Sequence, residues 1–379
     1  MKRVVITGLG AITPLGNSVN EFWAHILAGK SAAGPITKFD ASKFKTRFAC
    51  EVKDFNIEEY IDKKEVKKYD LFTQYAIAAA DQAIADAGID FTQMDEVDRY
   101  EVGVIWASGN GGIASFENQL HEYIKGDGTP RFSPYFIPRL IVDIAAGAIS
   151  IKHQLHGPNY CTVSACASSN TAIISAFDTI RLGKAKMMIA GGSEAAITEG
   201  SVGGFSSAQA LSKNNENPLA ASRPFDVARD GFVMGEGAGA LVLEDLETAL
   251  ERGAVIYAEI LGGNVNSGGQ RGNGSMTAPN STAVQRCITD AIQNSGIVAD
   301  EIDAINGHLT ATTKDSLEIE NWTKALNRKG TDFPYINSLK SMTGHCLSAA
   351  GSVESVAAVL QLHEGFVFGN TNCEDLHPE

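Results

Sequence analysis

The sequence predicts an α/β protein with helices packed against sheets. Three observations carry this. Apolar runs of strand length alternate with longer stretches of helical period. The 38 glycines sit in short clusters after apolar runs, among them Ser108-Gly109-Asn110-Gly111-Gly112, Gly191-Gly192, Gly203-Gly204 and Gly262-Gly263, as in a buried sheet with tight loops. A faint internal repeat also runs through the chain.

Taken in order, Val4-Val5-Ile6-Thr7 reads as a buried strand. The start loosely imitates a signal peptide, but Gly8, Gly10, Thr13 and Pro14 interrupt the apolar stretch and no A-x-A site follows. Residues 72–87 form a helix ending at Asp86-Ala87-Gly88-Ile89, and residues 102–106 a strand. Asn159-Tyr160-Cys161-Thr162-Val163 leads into a helix over 170–182, followed by strands at 187–190 and 240–243. Past Arg252-Gly253-Ala254 the pattern restarts with a strand over 255–261 and a helix over 282–295 that ends at Asn294-Ser295-Gly296-Ile297. Ile302-Asp303-Ala304-Ile305 then matches residues 102–105, and Tyr335-Ile336-Asn337-Ser338 matches 159–163, before a last helix over 353–363. Two similar halves would place their loops on one shared face; chance recurrence of αβ units also fits a repeat this faint.

Composition narrows the function classes. The chain has 379 residues, 44% hydrophobic and 20% charged, enough for a large core and far from a disordered composition. No apolar run reaches the roughly 18–20 residues of a membrane helix, so no membrane insertion is expected. With 31 Lys+Arg against 45 Asp+Glu the net charge is −14, which argues against a general affinity for nucleic acid. The 6 scattered cysteines form no CxxC pair, and a reducing cytoplasm suits them.

The chemistry centres on Val163-Ser164-Ala165-Cys166-Ala167-Ser168-Ser169-Asn170, where a strand ends and a helix starts. Small neighbours leave room around the sulfur, and a helix N-terminus favours the thiolate, the nucleophilic form. A lone cysteine is more often a small buried hydrophobe, so partners matter. Two histidines follow strands at matching places of the repeat: His308 in Asn306-Gly307-His308-Leu309-Thr310-Ala311-Thr312, and His345 in Lys340-Ser341-Met342-Thr343-Gly344-His345. His153-x-x-His156 lacks an acidic or cysteine ligand set, and no metal is expected. Gly8-x-Gly10 lacks the third glycine of a dinucleotide fingerprint.

At these residues the sequence closely resembles the β-ketoacyl-[acyl-carrier-protein] synthases of the thiolase-like condensing-enzyme superfamily. The resemblance covers essentially the whole chain. It runs from Arg3-Val4-Val5-Ile6-Thr7-Gly8-Leu9-Gly10 through the cysteine loop, Ser222-Arg223-Pro224-Phe225-Asp226 and Asp230-Gly231-Phe232-Val233-Met234-Gly235-Glu236-Gly237, to Lys340–His345 and Ala349-Ala350-Gly351. It implies two similar α/β halves in a layered αβαβα arrangement: residues 1–252 with the cysteine and 253–379 with both histidines. A Cys-His-His set implies the elongating type of acyltransferase in fatty acid biosynthesis.

The resemblance implies that Cys166 accepts an acyl chain from carrier-protein phosphopantetheine. His308 and His345 would stabilise the enolate as malonyl-carrier protein loses CO₂, and the Cys166 N–H would help hold the oxyanion. Lys340 would organise the charged network, with Glu318 its expected partner beside Asp315. Thr310 and Thr312 would hold the pantetheine amide. No redox cofactor is implied; a structural monovalent cation near Asn306 and Glu354 is. Asn110 matches the place where a partner subunit's acyl pocket is closed or opened, although an asparagine in a left-handed turn is the plainer account. Phe205 matches a phenylalanine near the site, although a buried phenylalanine is mostly core.

Two departures from the family pattern stand out. Leu309 occupies the glycine place of H-G-T-x-T, and the interval to Asp315 is one residue short, so a bulky side chain is expected to shift the loop or narrow the pantetheine path. The chain stops at Asp375-Leu376-His377-Pro378-Glu379, where family members continue to a G-F-G-G-x-N loop; little condensing activity is expected of these 379 residues alone.

Lys64, Lys67 and Lys68 are expected on one helix face as a docking patch for acidic acyl carrier protein, against the plainer reading of a solvated charge run. The segments 140–151 and 160–162 resemble the family's two-fold seam and imply a homodimer. The alternative is a ketosynthase subunit of a specialised polyene or polyketide pathway with a non-identical partner. A non-catalytic chain-length partner would lack Cys166, and a thiolase would need a second, C-terminal cysteine motif.

Overall fold

The computed structural model describes residues 1–268 and 280–378. Its strands are β1 (Val4–Ile12), β2 (Gly34–Pro35), β3 (Phe48–Ala49), β4 (Val102–Ala107), β5 (Asn159–Thr162), β6 (Met187–Glu194), β7 (Gly237–Asp245), β8 (Ala258–Ile260), β9 (Ala304–Asn306) and β10 (Tyr335–Asn337). Six of them make one mixed sheet in the order β5-β4-β6-β7-β1-β8. β4 runs parallel to both β5 and β6, while β7 is antiparallel to β6 and β1.

Every residue of β1, β4, β6 and β7 is buried, because both faces of the sheet are covered. On one face lie the helices Leu71–Asp86 and Ile144–His153, with Phe72, Tyr75, Ala79, Trp106 and Ile149 in their shared core. On the other lie Ser168–Arg181 and Ala350–Glu364, with Ala172, Ala176, Ile180, Val353 and Val356. Beyond these, β9 and β10 form a parallel pair, and Asn337 of β10 donates to the Gln361 side chain of the second helix. The helices Ser281–Ser295 and Asp315–Leu326 pack on each other. The α/β class read from the alternation is the class observed.

The glycine clusters act differently from the expectation of tight loops. Gly191 and Gly192 lie inside β6, and Gly237 and Gly239 inside β7. Gly8 and Gly10 lie inside β1, where a Cβ would overlap the carbonyl oxygens of Ala83 and Ala79. The backbone of the helix Leu71–Asp86 therefore rests directly on the strand, which is why its inner face is alanine.

The two segment pairs singled out by the repeat are both parallel neighbours: Val104 opposes Asn159 in one half, and Ala304 opposes Tyr335 in the other. Chain leaving the carboxyl ends of β5, β9 and β10 reaches Cys166, His308 and Lys340 within a few residues. Carboxyl ends of parallel strands are where open α/β sheets gather their ligand-binding groups.

Candidate active site

Cys166 sits on a sharp turn between β5 and the helix Ser168–Arg181. Ala165 before it has φ of 51°, a left-handed conformation that a non-glycine residue adopts only under constraint. The Ser168 hydroxyl supplies that constraint: it donates to the Ala165 carbonyl at 2.6 Å and accepts from the Ser164 N–H at 2.8 Å. The turn leaves the Cys166 sulfur 3.1 Å from His345 Nε2.

His345 is fixed on both sides. Its N–H donates to the Val233 carbonyl at 2.7 Å and its carbonyl accepts from the Gly235 N–H at 2.9 Å. Nδ1 accepts a hydrogen bond from the Leu347 N–H at 3.2 Å. A neutral imidazole accepting at Nδ1 carries its proton on Nε2, so His345 presents an N–H donor toward the sulfur. Phe232 packs edge-on against the ring at 5.3 Å, and Phe205 against Phe232 at the same spacing. His308 stands 5.2 Å from His345, ring centre to ring centre, nearly perpendicular to it. The Cys166, His308 and His345 heteroatoms lie within 4.8 Å of one another.

Electrostatics keep this trio uncharged. Burial drives the His345 pKa well below the histidine range, and the Lys340 charge and His308 add to the effect. His308 is open to solvent, yet the surrounding protein and Lys340 push it in the same direction. Burial raises the Cys166 thiol, with Lys340 opposing. Helix position alone suggested a favoured thiolate; burial outweighs it.

Lys340 is fully buried and pairs with Glu354, not with the expected Glu318. Glu318 accepts instead from the N–H groups of His308 at 2.7 Å and Leu309 at 2.8 Å. Asp315 accepts from Ala311 and Thr312, both at 3.2 Å, and from Phe225 at 3.4 Å. The two acids clamp the His308 loop from the first turn of the helix Asp315–Leu326. Burial raises the Glu354 carboxyl and Lys340 opposes; burial likewise raises Glu318 and Asp315. Asn306 donates to Asn337 at 3.4 Å. Glu354 is bound to Lys340, so both side chains are held in the protein's own network.

Leu309 is completely buried, its carbonyl accepting from the Ser338 hydroxyl at 2.8 Å. Its side chain lies against Gly307, where an added Cβ would stand 2.6 Å from Leu309 Cδ1. Thr310 and Thr312, half-buried, bond to each other at 3.2 Å between hydroxyls. Asn110 is exposed, and the left-handed residue of its turn is Gly111, with φ of 56°, not Asn110.

The basic cluster also differs from expectation. The helix there spans only Lys63–Val66, because Asp70 must reach the Phe72 N–H to cap the next helix. Lys64, Lys67 and Lys68 therefore share no helical face. Lys64 pairs with Asp62 at 3.3 Å and Lys68 with Glu65 at 2.6 Å, while the Lys67 carbonyl accepts from Arg139. His153 pairs with Asp81 at 2.8 Å and His156 packs on Tyr100, separate contacts that give the H-x-x-H spacing structural work.

Sequence reasoning missed Glu194, Phe232, Ser348 and the Leu347 N–H around this site. Phe232 stands inside a motif that was legible; the Leu347 N–H carries no side-chain signature at all.

The family model described as "Beta-ketoacyl synthase, N-terminal domain" matches residues 1–249, and "Beta-ketoacyl synthase, C-terminal domain" matches residues 257–374. The chain is 43% identical over 381 residues to 3-oxoacyl-[acyl-carrier-protein] synthase 2 of Synechocystis sp., covering 100% of this chain and 89% of that one. Among solved structures, the ishigamide ketosynthase/chain length factor matches with a TM-score of 0.89 at 30% identity, covering 100% of this chain and 90% of that one. AntDE:AntF, a type II PKS acyl-carrier protein in complex with its ketosynthase bound to the hexaketide, matches with a TM-score of 0.85 at 32% identity and the same coverage.

Proposed function

The chain belongs to the beta-ketoacyl synthase family, and from that premise we propose that it condenses a Cys166-bound acyl chain with malonyl-acyl-carrier protein in fatty acid elongation. The observation that carries this reading is the convergence of Cys166, His308 and His345 beside a buried Lys340–Glu354 pair.

Acyl transfer comes first. The Cys166 sulfur bonds to the acyl carbonyl carbon, the pantetheine C–S bond breaks, and the thiol proton ends on the released pantetheine sulfur. Malonyl-carrier protein then binds with its thioester carbonyl between the histidines. Two neutral imidazoles each offer an N–H to the oxygen that becomes the enolate oxygen as CO₂ leaves. Neutral donors suit this role, because the stabilised charge appears only in the transition state. The enolate carbon attacks the Cys166 thioester, the Cys166 N–H meets the tetrahedral oxyanion, and the C–S bond breaks. One proton taken up restores the thiol, giving β-ketoacyl-carrier protein and CO₂. Thr310 and Thr312 hold the pantetheine arm, and Phe205 and Phe232 keep the His345 ring in place. The phosphopantetheine arrives with the substrate; the protein holds no redox group of its own in this scheme.

The exposed Lys63, Lys64 and Lys67 receive an acidic carrier protein. Two copies pair through β5, an edge strand that carries exposed Tyr160, is followed by exposed Val163 and packs on the helix bearing exposed Ile151. No described helix is long and apolar enough to cross a membrane. A ketosynthase of a specialised pathway with a non-identical partner performs the same chemistry, and the likeness to the ishigamide ketosynthase/chain length factor favours keeping it as the second reading.

Acyl-carrier proteins of graded chain length, offered with malonyl-carrier protein and followed by intact mass, test the proposal. Saturated β-ketoacyl products that vanish in Cys166→Ala are expected. Turnover only of polyketide or polyene intermediates, or only with a second subunit, would move the assignment to the second reading. Products that persist in Cys166→Ala would overturn both.

A further inference from the structure

We infer that Glu117 is a positioning residue for His345: it holds the start of a glycine-rich helix whose far end carries the aromatic stack on the His345 ring. This rests on the condensing reading above, because that reading gives His345 its part in the enolate step.

The helix Glu199–Ser207 is poorly specified by its own sequence. It contains Gly200, Gly203 and Gly204, and glycine is the weakest helix former after proline. Val202 is its one fully buried residue, so packing adds little. Two side chains compensate at its start. The Thr198 hydroxyl accepts from the Ser201 N–H at 3.3 Å. Glu117, on the helix Ile113–Lys125, accepts through Oε1 from the Thr198 hydroxyl at 2.7 Å and from the Gly200 N–H at 3.2 Å. A carboxylate there also meets the favourable end of the helix dipole. The contact needs glycine at 200, because an added Cβ would stand 2.5 Å from Glu117 Oε1.

The other end of this helix leads to the reacting groups. Phe205 packs edge-on against Phe232 with ring centres 5.3 Å apart, and Phe232 packs in the same way on His345. The backbone follows the same route. The Ala210 N–H donates to the Phe205 carbonyl at 3.1 Å, and the Phe232 N–H donates to the Ala210 carbonyl at 2.9 Å. The next residue, Val233, accepts from the His345 N–H at 2.7 Å. Val202, Phe232 and Met234 share one apolar cluster, with Phe205 and Ile113 packed against it. Fraying at Gly200 therefore shifts the packing of the ring that stands 3.1 Å from the Cys166 sulfur. None of the catalytic steps above uses the Glu117 carboxyl; its effect passes through the helix.

The test compares wild type, Glu117→Ala, Gly204→Ala and the double variant. Alanine at 117 keeps the helix Ile113–Lys125 well formed. An added Cβ at Gly204 meets no atom within 4 Å, so Gly204→Ala strengthens the glycine-rich helix without touching its neighbours. Kinetics are read as CO₂ release from malonyl-carrier protein and as acyl loading of Cys166. Structure is read as hydrogen exchange at the Gly200 and Ser201 amides and as the His345 ring signal in histidine-labelled protein.

Glu117→Ala is expected to lower kcat for CO₂ release about fivefold, with the malonyl-carrier protein KM and the loading rate within about twofold of wild type. The two amides should exchange roughly tenfold faster, and the His345 signal should move. Adding Gly204→Ala should restore most of the lost kcat and return both structural readouts toward wild type. An unchanged kcat, a loss that Gly204→Ala does not repair, or a loss shared equally by loading and CO₂ release would overturn the inference. If wild type releases no CO₂ from malonyl-carrier protein, the condensing reading fails, while the His345 signal of Glu117→Ala still decides whether Glu117 positions that ring.

Discussion

At Lys340 a charge lies fully buried, with Glu354 its one ion-pair partner among the described residues. Breaking such a pair strands the other charge, at a cost of about 3–5 kcal/mol. Lys340→Met is therefore expected to lower the urea midpoint markedly, with a smaller loss in the Lys340→Met/Glu354→Gln double variant. The sign with pH follows from the carboxyl. Burial already raises Glu354, and without Lys340 it rises further, so the native state holds a proton that the unfolded chain gives up. Stability of Lys340→Met should then fall as pH rises above the ordinary glutamate range, more steeply than in wild type. A midpoint loss equal at pH 5 and pH 8 would show that Glu354 is not the stranded charge. The sequence made Lys340 legible through its place five residues before His345, but not its partner. Glu318 and Glu354 are both acids near the site in sequence, and only the fold shows that Glu318 is spent on two backbone N–H groups.

Among the elements, the strands and long helices were legible because their apolar period is strong, as in Ser168–Arg181 against the expected 170–182. The strands proved longer than expected wherever glycine interrupts them. Glycine reads as a loop signal, yet in β1, β6 and β7 it marks backbone packed on backbone. Gly10→Ala tests this. A methyl group there would overlap the Ala79 carbonyl, and the helix Leu71–Asp86 would have to lift from the sheet. A loss at or above the upper end of the usual 1–3 kcal/mol for overpacking, that is about 3 kcal/mol, is expected by denaturant titration. Gly365→Ala is a suitable control: an added Cβ meets no atom there, so only the strain of its φ of 64° is expected. The short helix Lys63–Val66 shows the opposite failure. Charge spacing suggested a continuous face, but the capping demand of Asp70 ends the helix early.

For the whole molecule, a chain of net charge −14 meeting an acidic carrier protein must rely on a local basic patch. Lys67 has an exposed side chain, while Lys64 and Lys68 are already paired. Lys67→Glu is accordingly expected to raise the KM for carrier-protein substrates more than Lys68→Glu, with kcat nearly unchanged and the difference shrinking at high salt. Equal effects at both positions would place docking elsewhere. Light scattering at micromolar concentration should return the mass of two chains, since β5 offers an open strand edge beside exposed apolar residues; a monomer would contradict that pairing.

The most direct test of the central claim separates the two half-reactions in full-length wild type, His308→Ala and His345→Ala. Acyl loading on Cys166 is read by peptide mass, and release of CO₂ from malonyl-carrier protein is read in the same samples. If the neutral histidines serve the enolate, both variants should still load Cys166 while CO₂ release falls by about 10²–10³. Undiminished CO₂ release in both variants, or an acyl group found on another residue, would contradict the account.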